Sequence, residues 1–208
     1  MSFVWRLPGF SGPQSHSLRK VFSDWQVAGI IAAMSGLPID ILDSGAASFY
    51  GLSGNNLALA RPNWAAGATR KTALTNVPPG YFFNPSAFTR PVVQVNQPIP
   101  SSHGQAIADA VGTDFGDVGR NVLRGPAQSN VDIALTRSFT LAESRTAEFR
   151  VEFFNLFNQV NLANPVSTAG KGTFSDTTGV IVAPGDFGRI VSTSSNPRLI
   201  QLAVRLNW

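Results

Sequence analysis

Few residues in this chain can carry covalent or acid–base chemistry. Cysteine is absent and histidine occurs twice. Disulfides, thiolate ligands and Cys nucleophiles are therefore excluded, and a triad or His-rich metal cluster has only His16 and His103 to draw on. Asp186-Phe187-Gly188 spells the metal-binding triplet of protein kinases, but no Gly-rich loop, catalytic-loop pattern or partner Lys accompanies it. A loop turn is the favoured reading. Glu148 and Glu152 stand four apart, a spacing that would pair two carboxylates on a helix for glycosidase-like work. In a strand they share a face with Arg150 between them, and charge pairing on a wet wall is favoured. Asn155, Asn158, Asn161 and Asn164 recur every third residue, which suits turn formation better than ligand chemistry. Gly-x-Ser-x-Gly, P-loop and EF-hand patterns are missing. No catalytic residue, cofactor or metal is assigned, and the chain is expected not to be an enzyme.

The composition excludes several other classes. Of 208 residues only 13% are charged, about half the ~25% of ordinary soluble domains. Hydrophobic residues stand at a normal 43%, and the deficit is filled by Gly (19), Pro (14) and uncharged polar residues. That balance excludes a charged disordered tail and a coiled coil. The net charge of +4 comes largely from 13 Arg scattered singly, with Lys only at 20, 71 and 171. A phosphate-tracking groove needs clustered cations, so nucleic-acid binding is not expected. The longest apolar run, Val27 to Met34, falls far short of the ~20 residues of a membrane helix. The opening MSFVWRLPGF does not read as a secretory leader. Either the chain is cytosolic or Met1 is not the start of the parent protein.

The remaining information lies in strands. Alternation of period two predicts strands near 130–141, 146–157 and 197–208; a fourth, 24–34, alternates poorly because both faces are apolar or small, and 2–7 is a fifth candidate. In 197–208, Ile200, Leu202, Val204, Leu206 and Trp208 oppose Gln201, Ala203, Arg205 and Asn207. In 146–157, Ala147, Phe149, Val151 and Phe153 oppose Glu148, Arg150 and Glu152. Such lengths exceed the ~5–6 residues usual in globular proteins and match the ~9–11 of a tilted barrel strand. A short turn, Ala142 to Arg145, joins the two middle strands, whereas residues 35–129 and 158–196 form long loops rich in Gly, Pro, Asn and Ser. Short turns at one end and long loops at the other is the asymmetry of outer-membrane barrels. With the short turn on the periplasmic side, Trp5, Trp25, Phe139 and Trp208 fall together as an aromatic girdle. The lumen-facing set is then Arg6, Gln26, Asp132, Thr136, Glu148, Arg150, Glu152, Gln201 and Arg205. Parity puts Arg137 on the lipid face, tolerable only near the interface.

The last eight residues, QLAVRLNW, resemble the signal by which bacterial barrels are recognised by the outer-membrane assembly machinery, carried by Gln201, Ala203, Leu206 and Trp208. Ala stands where Gly is preferred and Trp where Phe is commoner. Further blocks, in order, are 25-WQVAGIIAAMSGLPI-39, 61-RPN-63, 81-YFFNPSAF-88, 115-FGDVGRNVLRGP-126, 130-NVDIALTRSF-139, 147-AEFRVEFFNLFNQVNLANP-165 and 187-FGRI-190. Together they resemble the C-terminal end of the barrel in Oar-like TonB-dependent outer-membrane receptors. The resemblance implies an all-β, antiparallel barrel fragment spanning residues 1–208, with about five C-terminal strands and long extracellular loops. It further implies an outer-membrane location and movement of a large or scarce substrate. The implied partners are membrane lipid, the rest of the receptor (plug and earlier strands), the barrel-assembly machinery, and a TonB complex reached through absent N-terminal parts. Loop residues Asn55, Asn56, Arg61, Asn63, Trp64 and Tyr81 are candidate ligand contacts. A soluble or secreted all-β adhesin or carbohydrate-binding module, and a gene fragment without independent function, stay open as alternatives.

Overall fold

The computed structural model describes residues 1–8, 23–47, 60–91, 116–170, 172–175 and 178–208. The described elements run β1 (Ser2–Arg6), β2 (Gln26–Met34), β3 (Pro38–Ile39), β4 (Leu42–Asp43), α1 (Ser44–Ala47), β5 (Asn63–Trp64), α2 (Arg70–Thr75), a 3-10 turn (Pro85–Ala87), β6 (Phe88–Thr89), β7 (Leu123–Arg124), β8 (Gln128–Ala142), β9 (Arg145–Phe154), β10 (Thr168–Ala169) and β11 (Leu199–Asn207). They divide into two compact units: residues 1–35, 127–161 and 194–208 in the first, 36–126 and 162–193 in the second. No described helix is long and apolar enough to cross a membrane, which bears only on helical spans.

The first unit is a five-stranded sheet of order β1-β2-β8-β9-β11, with every neighbour antiparallel. All five expected strands form. Their limits differ where the local backbone decides. The strand expected over 24–34 begins at Gln26, because Asp24 sits at φ 66°, outside the extended region. The strand expected to reach residue 157 stops at Phe154, since Asn155 adopts φ 52° and turns the chain. β8 is longer than its expected 130–141, running through a register irregularity between Thr140 and Ala142 to a turn at Glu143 and Ser144. Gly29 marks a close approach: Phe3 of β1 pairs with it, and a Cβ there would lie 2.5 Å from the Phe3 ring. The missing side chain lets that ring cover the strand.

The second unit gives the two long connecting segments a core of their own. Segments from both pack around one core of Ile39, Ile41, Phe83, Phe88, Val118, Leu123, Phe174 and Phe187. Phe83, Phe88 and Phe187 meet edge to face with ring centroids 5.2–6.0 Å apart, and Trp64 stacks on Phe88 at 5.0 Å. Such pairs add roughly 0.5–1.5 kcal/mol each beyond area burial. Pairs of two-residue strands tie the unit: β3 with β7, β5 with β6, and β4 with β10 in parallel. The β4–β10 ladder joins the two chain segments directly. Beside it, Asp43 and Arg90 form a buried two-pronged ion pair, Nε to Oδ2 at 2.8 Å and Nη2 to Oδ1 at 3.0 Å. Arg90 also lies 5.6 Å from the Phe174 ring centroid. A charge at this depth is tolerable only while its partner remains. Asp43→Ala is therefore expected to destabilise the second unit by about 3–5 kcal/mol, read as faster amide exchange at Ile41 and Phe88. A loss below about 1 kcal/mol would show that water reaches Arg90.

Candidate functional site

The sheet presents two chemically opposite faces, and the register defines each one. Arg6 aligns with Gln26, Thr136, Arg150 and Ala203 in a single row across all five strands. The next row toward the hairpin turn carries Ser138, Glu148 and Arg205, and the next row away from it carries Ala134, Glu152 and Gln201. Asp132 shares the same parity on β8. All nine residues expected to face a lumen thus occupy one face. Arg150 Nη2 and Glu152 Oε1 pair at 2.6 Å along β9. Asp132 Oδ1 accepts the Asn155 N–H and the Asn130 Nδ2–H, each at 2.8 Å. On this face Arg6, Asp24, Gln26, Thr136, Ser138, Glu148 and Arg150 line an open concavity of about 530 Å³. Charges of both signs line it, which suits water or a polar peptide surface. Among the described residues, no group of three or more His, Asp or Glu is placed to hold a metal.

The opposite face is apolar, and its aromatics follow a line. Register carries Trp5 through Val27, Leu135 and Val151 to Leu202. Relative to that row, Trp25 lies two residues nearer the turn end, on the line of β2 just before it begins. Phe139 lies four residues nearer on β8, and Trp208 six on the line of β11. Six residues at ~3.3 Å each, over four strand spacings of ~4.8 Å, define a line inclined about 45° to the perpendicular of the strands. Barrel strands tilt by ~35–45°. At that tilt the four aromatics share one level. From Val131 to Leu141, β8 would then present an apolar height of roughly 24 Å, close to the ~25 Å band of a barrel wall.

Arg137 is the one charge on this apolar face of β8, and rings enclose it. Its guanidinium lies 4.5 Å from the Phe139 ring centroid and 5.9 Å from that of Trp25, while Trp25 meets Phe149 edge-on at 6.4 Å. The residue is 5% exposed. The cation is thus held against ring faces beside the aromatic line, where the expectation was a side chain reaching out to headgroups.

The residues expected to form an assembly signal divide between the faces. Gln201 and Ala203 lie on the polar face of β11, Leu206 and Trp208 on the apolar one, and Trp208 is 90% exposed. Among the candidate ligand contacts, Asn55 and Asn56 lie outside the described residues. The other four make contacts that hold the second unit together. Arg61 Nη1 donates to Asp40 Oδ1 at 3.2 Å and to the Gly119 carbonyl at 3.0 Å. Asn63 Oδ1 accepts the Asp117 N–H, and Asp117 Oδ1 accepts the Trp64 N–H, both at 2.8 Å. Tyr81 donates its hydroxyl to the Gly185 carbonyl at 3.0 Å and stacks under Arg189. The Asn121 N–H, 2.6 Å from Asp40 Oδ1, holds that carboxyl below its ordinary range; partial burial opposes the shift and Arg61 reinforces it. The Asp43–Arg90 pair had no signal in the sequence, since the two residues lie 47 positions apart in aperiodic segments.

A family model described as an outer membrane beta barrel domain matches residues 1–201. No curated protein and no solved structure matches the chain. The family match removes the support for a soluble adhesin or carbohydrate-binding module. It also sets the conditions for testing the two faces. In a bilayer, Val151→Arg should cost ~2–4 kcal/mol near mid-membrane, and Glu152→Arg, one residue on, distinctly less. Urea titration of the barrel in phosphatidylcholine vesicles measures both; a larger loss at 152 than at 151 would reverse the facing.

Proposed function

Because this chain belongs to the outer membrane beta barrel domain family and its place is the outer membrane, we propose that it forms the C-terminal wall of a TonB-dependent receptor-transporter of the Oar-like kind. The first unit supplies wall: its apolar face meets lipid, and its polar face, from Arg6 to Arg205, lines a lumen. Trp5, Trp25, Phe139 and Trp208 anchor the periplasmic interface, where amphipathic rings are favoured. The barrel-assembly machinery reads Gln201, Ala203, Leu206 and Trp208. Earlier strands and a plug complete the barrel, and a TonB complex reaches it through N-terminal parts. The protein moves a large or scarce substrate and performs no catalysis.

One observation supports this reading above the others. Several of the sequence blocks that carry the receptor resemblance interlock in the second unit. RPN contacts GDVG through Arg61, Asn63 and Asp117. YFFNPSAF meets FGRI through Phe83, Phe88 and Phe187, and the Phe82 N–H donates to the Gly188 carbonyl at 2.7 Å. VLRGP meets the GLPI of the first block where β7 pairs with β3, and the Gly125 N–H donates to the Leu37 carbonyl at 2.9 Å. Motifs far apart in sequence thus form one scaffold, as expected of the ordered loops that carry binding residues in a receptor.

The test uses the full-length receptor in its host, with and without Trp208. Labelled oligopeptides, oligosaccharides and metal chelates serve as uptake probes. The wild type should take up one of these classes, and a protonophore should abolish that uptake. Deleting Trp208 should cut the outer-membrane level severalfold, with uptake per assembled molecule and refolding in detergent little changed. Uptake indifferent to the protonophore would overturn energised transport, and an unchanged outer-membrane level would overturn the assembly signal.

A further inference from the structure

The strap that leads into the terminal strand is gripped by three asparagines spaced three apart. The Ser194 N–H donates to the Asn161 carbonyl at 2.8 Å, and Asn161 Nδ2 donates to Ser195 Oγ at 3.1 Å. Asn155 Nδ2 donates to the Asn196 carbonyl at 3.1 Å. Asn158 Oδ1 accepts the Arg198 N–H at 3.0 Å, one residue before β11 begins at Leu199. The grip is anchored on β8. The Asn155 N–H donates to Asp132 Oδ1 at 2.8 Å, and Asn161 exchanges two 2.8 Å hydrogen bonds with the backbone of Ser129. Asn155 and Asn161 are buried, and Asn155 and Asn158 hold the left-handed backbone that Asn tolerates better than most residues.

Such a clasp answers a degeneracy in the ladder. β11 alternates apolar and polar residues, so a slip of one residue against β9 would reverse its faces and is strongly opposed. A slip of two preserves both faces and moves every residue by about 7 Å along the strand. Nothing in the alternation forbids it. We infer that Asn155, Asn158 and Asn161 fix the register of β11 on β9, and with it the level at which Trp208 joins the other aromatics. This clasp is a property of the sheet, independent of what the barrel carries.

The absence of cysteine makes disulfide mapping clean. Glu148→Cys with Arg205→Cys reports the native pairing. Glu148→Cys with Ala203→Cys, or with Asn207→Cys, reports a slip of two. Directly paired residues have Cα atoms ~4.5–5.5 Å apart, within disulfide reach, whereas diagonal neighbours at ~7–8 Å are outside it. In the full chain refolded in dodecylphosphocholine micelles, only the 148–205 bridge should form. Asn155→Gly with Asn158→Gly keeps the left-handed backbone but deletes the grip, and should raise the slipped bridges at least fivefold relative to the native one. Asn158→Asp, which retains an acceptor for the Arg198 N–H, should keep the native register. A folded double variant that still forms only the 148–205 bridge overturns the inference. Should the double variant lack β-sheet circular dichroism, folded Asn158→Gly is read by the same rule.

Discussion

A strand in contact with hydrocarbon must give every backbone N–H and C=O to a neighbour, because no water is present to take them. This constraint organises the first unit. It forces the five strands into one continuous antiparallel ladder, and an antiparallel ladder sends alternate side chains to opposite faces. Once register is set, face chemistry follows for all strands together: Arg6, Gln26, Thr136 and Arg150 in one row, Trp5, Val27, Leu135 and Val151 in the adjacent one. Local exceptions serve the same ladder. Gly29 gives up a side chain so that Phe3 can cover the strand, and Arg137 remains on the apolar face because aromatic rings surround it.

The second unit obeys a different rule. Its ladders are only two residues long, too short to hold a chain by themselves. Its order comes from packing and from specific polar contacts: Phe83, Phe88 and Phe187 in mutual contact with Phe174 against Phe187, the buried Asp43–Arg90 pair, and the Asn63–Asp117 and Arg61–Asp40 links. Tight backbone approaches complete it. Gly188 at φ 95° brings its own N–H to the Val166 carbonyl and its carbonyl to the Phe82 N–H. The two units thus rest on separate physics, one on a ladder suited to lipid and the other on a core suited to water.

That difference explains what the sequence disclosed. A period of two repeated over nine or more residues is a strong local signal, so the strands near 130–141, 146–157 and 197–208 are legible, and the shorter or poorly alternating 2–7 and 24–34 are weaker signals; ends such as those set by Asp24 and Asn155 are not. The aromatic line was legible as a set of residues, but its slope needed the register. The second unit was hidden because its core has no period. Phe83, Phe88, Phe174 and Phe187 come from two segments separated by β8 and β9, each amid Gly, Pro and Ser that read as loop. The candidate ligand contacts Arg61, Asn63, Trp64 and Tyr81 are polar or aromatic residues in such segments. The contacts described for them are those of scaffold. The asparagine repeat signals turns, and Asn155 and Asn158 do turn the chain, while its reach to residues 194–198 has no signal in the spacing.

A sheet in a barrel wall divides lipid from water along its whole length. Spin labels placed singly at residues 147–154 of this cysteine-free chain, in the full barrel reconstituted in phosphatidylcholine vesicles, test it most directly. Collisions with oxygen, which concentrates in lipid, should peak at 147, 149, 151 and 153, and collisions with a water-soluble nickel chelate should peak at 148, 150 and 152. Accessibility without a period of two, or with the two sets exchanged, would show that the sheet does not divide lipid from water in this way.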